Sequence, residues 1–290
     1  MKKIVFVILL VALVGVSTTV AQDVGEITVN CDNGVSFTNG IQFQVVQMRA
    51  GFTYTATAIG INGFDPVLAV LGENMSGVCV DDAPQAASYG AYLPSSGEVD
   101  SSNTSSQITF HHNDPTGFQT ISLVVGGYNN ARGEFVLILE GMAVTPADNV
   151  GDPYAVRVTP AMVEANIPIV VYSLASLESS VDPLLGRVDA DYNVIMDADN
   201  LPFVCDDAGT ESCYTQGPSL DEYGVSIVNG VLPGGPLDSY LMVDTGLLEL
   251  HDDPNLNFIN FLVSSYEGAT GDYVMAFHVG TAETQSDTGK

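Results

Sequence analysis

The stretch FDPVLAVLGENMSGVCVDDA (Phe64 to Ala83) decides the fold, because its main features occur a second time in the chain. It contains an Asp-Pro step, an apolar run, a cysteine and an Asp-Asp pair, in that order. The stretch VDPLLGRVDADYNVIMDADNLPFVCDDA (Val181 to Ala208) has the same features in the same order. Self-similarity of this kind is the signature of an internal repeat.

Two further landmarks follow each of these stretches in the same order. The first is a histidine, two polar residues and a proline before an apolar run, in HNDPTGFQTISLVVGGY from His112 and HDDPNLNFINFLVSSY from His251. The second is a turn of small residues before a last apolar run, in NNARGEFVLILEG from Asn129 and EGATGDYVMAFHVG from Glu267. Four landmarks in one order predict a tandem duplication.

The segments between the landmarks are typical of β-strands. They are short runs rich in Val, Ile, Thr, Phe and Tyr, bounded by Gly, Pro, Asn and Asp. FTYTATAIG from Phe52 alternates with period two, and IQFQVVQM from Ile41 follows an expected turn at Thr38 to Gly40. Only PAMVEAN from Pro160 favours a helix, of one turn. The predicted fold class is all-β, with two tandem jelly-roll or immunoglobulin-like β-sandwich domains.

The domain boundaries follow from the two ends and from a linker. Two lysines, an apolar run from Ile4 to Val16 and small residues at Thr19 to Ala21 indicate a secretory signal peptide over residues 1–21, of a bacterial type. The alternative is an uncleaved anchor, although the run is short for a span of about 20 residues. Pro, Gly and Asp cluster between Met142 and Pro153. We therefore expect sandwiches over 22–145 and 146–282, and a disordered tail over 283–290.

The charge of the chain is strongly negative because basic residues are few. Asp and Glu number 35, Lys and Arg number 7, and the formal net charge is -28. Such a surface repels nucleic acid and attracts cations. The remaining alternative is that the charge serves only solubility. With 46% hydrophobic residues, the chain can still bury a core.

Four cysteines in a secreted chain predict disulfides, and four cysteines allow three pairings. We favour Cys31 with Cys79 and Cys205 with Cys213, since each bridge then stays within one repeat. Cys79 lies three residues before Asp82, whereas Cys205 lies two residues before Asp207. In a strand, a shift of one residue turns a side chain to the opposite face. The two cysteines are therefore expected to face opposite sides and not to have equivalent partners.

The landmarks resemble a known bacterial family of secreted β domains. RAGFTYTATAIGINGFDPVLAV (Arg49 to Val70) is similar to the Ala-Gly-x-x-Tyr and Asp-x-x-Leu strands of the pre-peptidase C-terminal domain family. GVCVDDA resembles that family's Asn-Asp-Asp segment, with Val80 in place of the Asn. The second repeat lacks Ala-Gly-x-x-Tyr and carries an insertion between Pro218 and Gly246. The resemblance implies a jelly-roll-like sandwich that is an appendage of secreted proteins and not a catalyst, with calcium at the acidic turn and matrix polymers as partners.

The acidic landmarks supply the candidate metal ligands. Calcium takes 6–8 oxygen ligands from carboxylates, carbonyls and water. If the Asp-Pro turn and the Asp-Asp pair lie at one end of a sandwich, each repeat offers three carboxylates. The alternative is that these aspartates only cap turns. The candidate ligands are Asp65, Asp81 and Asp82 in the first repeat and Asp182, Asp206 and Asp207 in the second.

The sequence offers no motif for catalysis. Gly-x-Ser-x-Gly, His-Glu-x-x-His and the glycine patterns of nucleotide sites are absent. We therefore expect a secreted, non-enzymatic binding or structural protein of the cell surface or extracellular matrix. Its expected partners are cations, further copies of itself or extracellular polymers, without nucleic acid and without membrane insertion after signal cleavage. The alternatives are a hydrolase with an unrecognised site, or a carbohydrate-binding or adhesion module that uses loop tyrosines, namely Tyr89, Tyr92, Tyr214 and Tyr223.

Overall fold

The structure is a computed structural model, and it describes residues 27–71, 76–82, 90–93, 97–100, 104–111, 119–146, 150–176, 179–207, 213–214, 226–227 and 238–281. The predicted signal peptide and the predicted tail lie outside the described residues. Among the residues that are described, no helix has the length and apolar character needed to cross a bilayer.

Strands make up most of the described chain. The first repeat contains β1 (Ile27–Cys31), β2 (Ser36–Met48), β3 (Thr53–Gly60), β4 (Pro66–Leu71), β5 (Ser76–Asp81), β6 (Gly90–Leu93), β7 (Gly97–Asp100), β8 (Ser106–His111), β9 (Gln119–Gly127) and β10 (Phe135–Val144). The second contains β11 (Val150–Arg157), β12 (Pro168–Ala175), β13 (Pro183–Val188), β14 (Val204–Cys205), β15 (Ser226–Ile227), β16 (Ser239–Asp244), β17 (Phe258–Ser265) and β18 (Gly271–Val279). The expected helical turn is α1 (Pro160–Glu164), which Thr159 caps by accepting the N–H of Met162.

The strands form two large sheets that face each other across a common core. The nine-stranded sheet, here sheet A, has the order β1-β5-β4-β9-β2-β11-β17-β13-β14. The six-stranded sheet, here sheet B, has the order β16-β12-β18-β10-β3-β8. A small third sheet has the order β15-β7-β6. The prediction of an all-β sandwich is confirmed.

The two repeats differ from separate sandwiches because they share both large sheets. In sheet A, β2 of the first repeat pairs with β11 of the second, with Val45 opposite Tyr154. In sheet B, β10 pairs with β18, with Leu137 opposite Phe277. Each pairing satisfies backbone groups that would form an exposed edge in an isolated repeat. We call this boundary, formed by β2, β11, β10 and β18, the seam.

Aromatic side chains from both repeats fill the core at the seam. The Phe277 ring centroid lies 5.3 Å from that of Phe43, 6.2 Å from that of Tyr154 and 6.4 Å from that of Phe261. All four side chains are buried and belong to one hydrophobic cluster that spans the repeats. Aromatic side chains bury the most apolar area per residue, so this cluster contributes strongly to the association of the repeats.

The first repeat contains a closed ring of strands that has no counterpart among the described residues of the second. β1 pairs with β5 on one side and with the beginning of β2 on the other, which closes the ring β1-β5-β4-β9-β2. Phe37 and Val124 are buried in a second core on this side of sheet A. The expected turn at Thr38 to Gly40 is instead part of β2, where Asn39 has a φ of 64°. Asparagine tolerates this left-handed conformation, which lets β2 continue toward β1.

The disulfides follow the pairing that the sequence analysis favours, Cys31 with Cys79 and Cys205 with Cys213. Cys79 is buried in the second core of the first repeat, whereas Cys205 is buried in the main core between the sheets. The two cysteines thus lie on opposite faces of sheet A, as their one-residue offset predicts. Two disulfides are compatible with an extracellular or secreted protein.

Candidate metal centre

The first acidic cluster lies where β4 begins and β5 ends. Asp65 immediately precedes β4, and Asp81 is the last residue of β5. Because these antiparallel neighbours pair with Val67 opposite Asp81, both aspartates come to the same end of sheet A. Asp82 follows with a φ of 67°, which turns the chain at this point. One carboxylate oxygen from each of the three residues lies within 4.8 Å of the others. We call Asp65, Asp81 and Asp82 the first triad.

The second acidic cluster reproduces this arrangement. Asp182 immediately precedes β13, and Asp206 and Asp207 immediately follow β14. β13 and β14 are antiparallel neighbours with Leu185 opposite Cys205. Oxygen atoms of these three carboxylates again lie within 4.8 Å of one another. We call Asp182, Asp206 and Asp207 the second triad. The structure therefore brings together all six aspartates that the sequence analysis selects, as two groups of three.

The same backbone contacts support both triads. The carbonyl oxygen of Asp65 accepts the N–H of Tyr128 at 2.9 Å, and that of Asp182 accepts the N–H of Tyr266 at 2.9 Å. These contacts fix the Asp-Pro turn against the end of β9 or β17. They leave the carboxylates of Asp65 and Asp182 available for another role.

A buried serine adds a second repeated contact beneath each triad. The Ser106 hydroxyl donates to the carbonyl of Pro66 at 2.8 Å, and the Ser239 hydroxyl donates to the carbonyl of Pro183. Ser239 also lies in hydrogen-bond range of the carbonyl of Asp206. Both serines are fully buried. The turns are thus held by hydrogen bonds that do not use the triad carboxylates.

Buried oxygen atoms without donors distinguish the triads from ordinary turn caps. Oδ1 of Asp65, Oδ1 of Asp182 and Oδ1 of Asp206 are shielded from solvent, and no described residue donates a hydrogen bond to them. A carboxylate that caps a turn accepts backbone N–H groups. A buried oxygen with no donor is costly, unless a cation supplies the missing interaction.

In both triads, burial and neighbouring carboxylates raise the pKa of aspartates. Burial, followed by repulsion from Asp82, raises the pKa of Asp65. Burial raises the pKa of Asp81, and Asp65 and Asp82 raise it further. In the second triad, burial and the neighbouring carboxylates raise the pKa of Asp182 and of Asp206. A bound cation would reverse these shifts by favouring the ionised forms.

The described ion pairs are located elsewhere. Arg49 pairs with Asp152, and the His278 imidazole, whose pKa is lowered by burial, contacts Glu134 at 2.8 Å. Within the described ranges, no basic side chain forms an ion pair with Asp65, Asp81, Asp182 or Asp206. The donor set of each triad fits calcium, because three carboxylates provide several hard oxygen atoms and carbonyls or water complete the shell.

The acidic loop between β13 and β14 has the opposite character. The Asp189 carboxylate accepts the N–H groups of Asp191 and Asn193, each within 2.9 Å. The Asp197 carboxylate accepts those of Asp199 and Leu201 at 2.8 Å. These hydrogen bonds lower the pKa of both Asp189 and Asp197. The segment from Asp189 to Asn200 thus uses its acids as turn caps, which provides an internal comparison for the triads.

Of the four loop tyrosines considered for ligand binding, the structure describes the side-chain contacts of one. Tyr89 and Tyr223 lie outside the described residues, and Tyr92 is described only as part of β6. Tyr214 is half-buried, packs on the ring of Phe203 at 4.1 Å and donates its hydroxyl to Asp197 at 2.9 Å. Its contacts are therefore those of a packed loop residue.

Two other tyrosines, which sequence reasoning missed, lie beside the triads. Tyr128 and Tyr266 are 50% and 47% exposed, and each donates its N–H to the Asp-Pro turn of its repeat. Each begins a 3-10 turn whose second residue, Asn129 or Glu267, has a positive φ. The signal was present, since both copies of the histidine landmark end in tyrosine.

Comparison with known proteins gives no assignment: no model of a known protein family matches the chain, and no curated protein matches it either.

Proposed function

We propose that this chain is a secreted, non-enzymatic binding or structural protein of the cell surface or extracellular matrix, whose two triads bind calcium. The observation that carries the proposal is the pair of buried Oδ1 atoms of Asp65 and Asp182, which occupy equivalent positions in the two repeats and have no described hydrogen-bond donor. Each lies within a group of three carboxylates. Calcium would supply the charge and the coordination that the protein does not.

The location of the triads supports a stabilising role for the ion. Each triad joins the beginning of one strand to the end of its neighbour, β4 with β5 or β13 with β14. Without an ion, repulsion among three carboxylates pushes these segments apart. With an ion, the same carboxylates hold the turn and the loop after the second strand together.

The net charge of -28 supports a further element of the proposal, which is association of copies through shared cations. The mature chain keeps four arginines and Lys290 against all 35 acids. Two copies repel each other at low ionic strength unless cations neutralise the facing surfaces. Light scattering against calcium concentration tests this element separately from the stability of the monomer.

Thermal unfolding in calcium and in chelator tests the proposal directly. A ligand that binds only the native state stabilises it by about 2.7 kcal/mol per site at a concentration of 100 Kd. We expect a higher midpoint in calcium for the wild type. Equal midpoints in calcium and in chelator contradict the proposal.

Substitution of a triad residue should change the melting midpoint in opposite directions in chelator and in calcium. Nonspecific effects of calcium do not produce this pattern. Asp65→Asn and Asp182→Asn each remove the charge of a half-buried carboxylate from a repulsive cluster, so each should raise the melting midpoint in chelator and reduce the increase that calcium causes. The matched control is Asp272→Asn, which removes an exposed carboxylate outside the triads. The control should keep the full calcium gain. A loss of stability in chelator for both triad variants contradicts the assignment.

A second candidate function is glycan binding or adhesion, favoured by the exposed Tyr128 and Tyr266 beside the triads. Flat aromatic faces stack on apolar faces of ligands while their hydroxyls stay hydrated. A glycan array with the wild type and with a Tyr128→Ala/Tyr266→Ala variant tests it. Specific signals that disappear in the variant favour this candidate, and an array without signals rejects it.

A further inference from the structure

A cavity of about 310 Å³ opens at one end of the seam. Its wall combines Ile41, Phe64 and Phe135 of the first repeat with Met162 and Ile167 of the second. Met162 and the neighbouring Ala161 and Ala165 come from α1 and its C-cap. The volume is at the lower end of the range for small-molecule sites, and the lining is mostly apolar as such sites require.

Alignment of the two repeats identifies the residues at the other end of the seam that are equivalent to those lining the cavity. GEFVL from Gly133 aligns with GDYVM from Gly271, so Phe135 corresponds to Tyr273. On the opposite sheet, Phe43 pairs with Leu123 of β9, and Tyr154 pairs with Phe261 at the equivalent point of β17. Two residues earlier in each strand, Ile41 therefore corresponds to Asp152.

At the other end of the seam, polar side chains fill the equivalent space. The Tyr273 hydroxyl contacts the Tyr154 hydroxyl at 2.8 Å and accepts the N–H of Asp152 at 3.1 Å. The Asp152 carboxylate lies 2.9 Å from Nε of Arg49. Phe135 and Ile41 carry none of these polar atoms. The duplicated position is filled by a buried polar cluster at one end of the seam and left as an apolar cavity at the other.

The cavity has one charged group, which lies at its mouth. Among the described lining residues, Arg132 is the only one with a charged side chain, and it is exposed. One guanidinium nitrogen donates to Oδ1 of Asn39, itself a lining residue, at 3.2 Å. A guanidinium has five N–H donors in a planar fork that matches a carboxylate. In a chain with so few basic residues, this placement gives an apolar space with a cationic rim.

We propose that the cavity binds small amphiphilic monocarboxylates, with the apolar chain against Phe64, Phe135 and Met162 and the carboxylate on Arg132. The apolar lining selects the chain, and the negative charge of the rest of the surface makes binding of the anion depend on this one arginine. The site is separate from both triads and does not depend on whether they bind calcium.

Isothermal titration of the mature protein with octanoate, and with 1-octanol as the uncharged probe, tests the proposal. The wild type should bind octanoate with a Kd in the millimolar range or tighter. Arg132→Gln should weaken octanoate binding by about tenfold and leave octanol binding nearly unchanged, since it removes only the ionic contact. Arg132→Lys should retain part of the preference for octanoate.

Two further variants separate the cavity from nonspecific binding. Ala165→Leu, with Ala161→Leu as the second choice if the first does not fold, places a larger side chain in the cavity and should weaken both probes. Arg157→Gln changes the net charge as Arg132→Gln does, at a residue that does not line the cavity, and should change neither. The proposal is overturned if octanoate does not bind the wild type, if the leucine variant binds it equally well, or if both arginine variants have the same effect.

Discussion

Nε of Arg49, from the first repeat, lies 2.9 Å from the carboxylate of Asp152, from the second. The two side chains are 15% and 2% exposed, so this is a largely buried ion pair that crosses the seam. The Tyr54 hydroxyl donates to the same carboxylate at 3.3 Å, and the N–H of Asp152 donates to Tyr273. Despite Arg49, burial raises the pKa of Asp152 to about 6.

Replacement of Arg49 by methionine should destabilise the protein by about 3–5 kcal/mol at neutral pH, because it leaves a buried carboxylate without its partner. The folded pKa of Asp152 is raised above the ordinary 3.8, so protonation favours the folded state. Because Arg49 lowers the pKa of Asp152, that pKa is higher still in Arg49→Met, and the loss of stability should decrease as the pH falls from neutral toward about 6. Urea unfolding of the wild type and of Arg49→Met at pH 5 and pH 7 measures this loss of stability. Arg132→Met, at an exposed arginine, is the control. A loss independent of pH contradicts this role of Asp152.

The stability of the calcium-free protein should rise as the pH falls from neutral toward the ordinary range of aspartate. The folded pKa values of Asp65, Asp81, Asp182 and Asp206 are raised, so in that window the folded state binds protons that the unfolded state does not. Calcium needs the ionised carboxylates, so the gain from calcium should shrink over the same window. Melting curves of metal-free and calcium-loaded protein measure both trends.

The acidic chain has many other carboxylates, so a variant must isolate the contribution of the triads. An Asp65→Asn/Asp182→Asn double variant should have a flatter dependence of stability on pH in the metal-free form. If acidification stabilises the wild type and the double variant equally, the raised pKa values of the triads do not control the pH dependence of stability.

The two disulfides should contribute unequally to stability. Cys31 and Cys79 are separated by 48 residues, whereas Cys205 and Cys213 are separated by 8. By loop-closure entropy, the first bridge stabilises by about 4 kcal/mol and the second by about 2.5 kcal/mol. Urea unfolding of the two double-alanine variants compares them. A larger loss from removal of the Cys205–Cys213 bridge would reverse this ranking and indicate that local contacts dominate over chain entropy.

The shared core predicts that the two repeats unfold together. Phe277 of the second repeat packs on Phe43 of the first, so Phe277→Ala should remove about 3–5 kcal/mol from the whole protein. Scanning calorimetry should show one transition for the wild type and one for the variant, at a lower temperature. Tyr192→Ala, at an exposed position, is the control. A second peak that keeps the wild-type midpoint would mean that the first repeat unfolds independently.

Much of the fold could be read from local patterns. Alternating runs such as TYTATA in β3 predict strands through their period of two, although the structure buries both faces of β3. The Asp-Pro and Asp-Asp landmarks also predict the positions of the triads, since antiparallel neighbours bring the beginning of one strand to the end of the next. The one-residue offset between Cys79 and Cys205 predicts their separate environments.

Other features had no local signal. No pattern links Arg49 to Asp152, which are about a hundred residues apart and meet only through the pairing of β2 with β11. Tyr128 and Tyr266 occur in repeated positions, but their exposure depends on the 3-10 turns after β9 and β17. Asn39 continues β2 where a turn was expected, and it lies at an irregularity in the pairing of β2 with β1, between Phe37 opposite Val29 and Gly40 opposite Ile27.

The sequence by itself determined the repeat, the strands and the selection of the acids, because each of these depends on local landmarks or on a period of two, and it favoured one of three disulfide pairings. Only the tertiary structure decided how the repeats associate. The backbone edges of β2 and β11, and of β10 and β18, could have remained exposed in two separate sandwiches. Burying aromatic side chains such as Phe43 and Phe277 between them favours one continuous sandwich, and that association creates both the Arg49–Asp152 pair and the cavity beside Arg132.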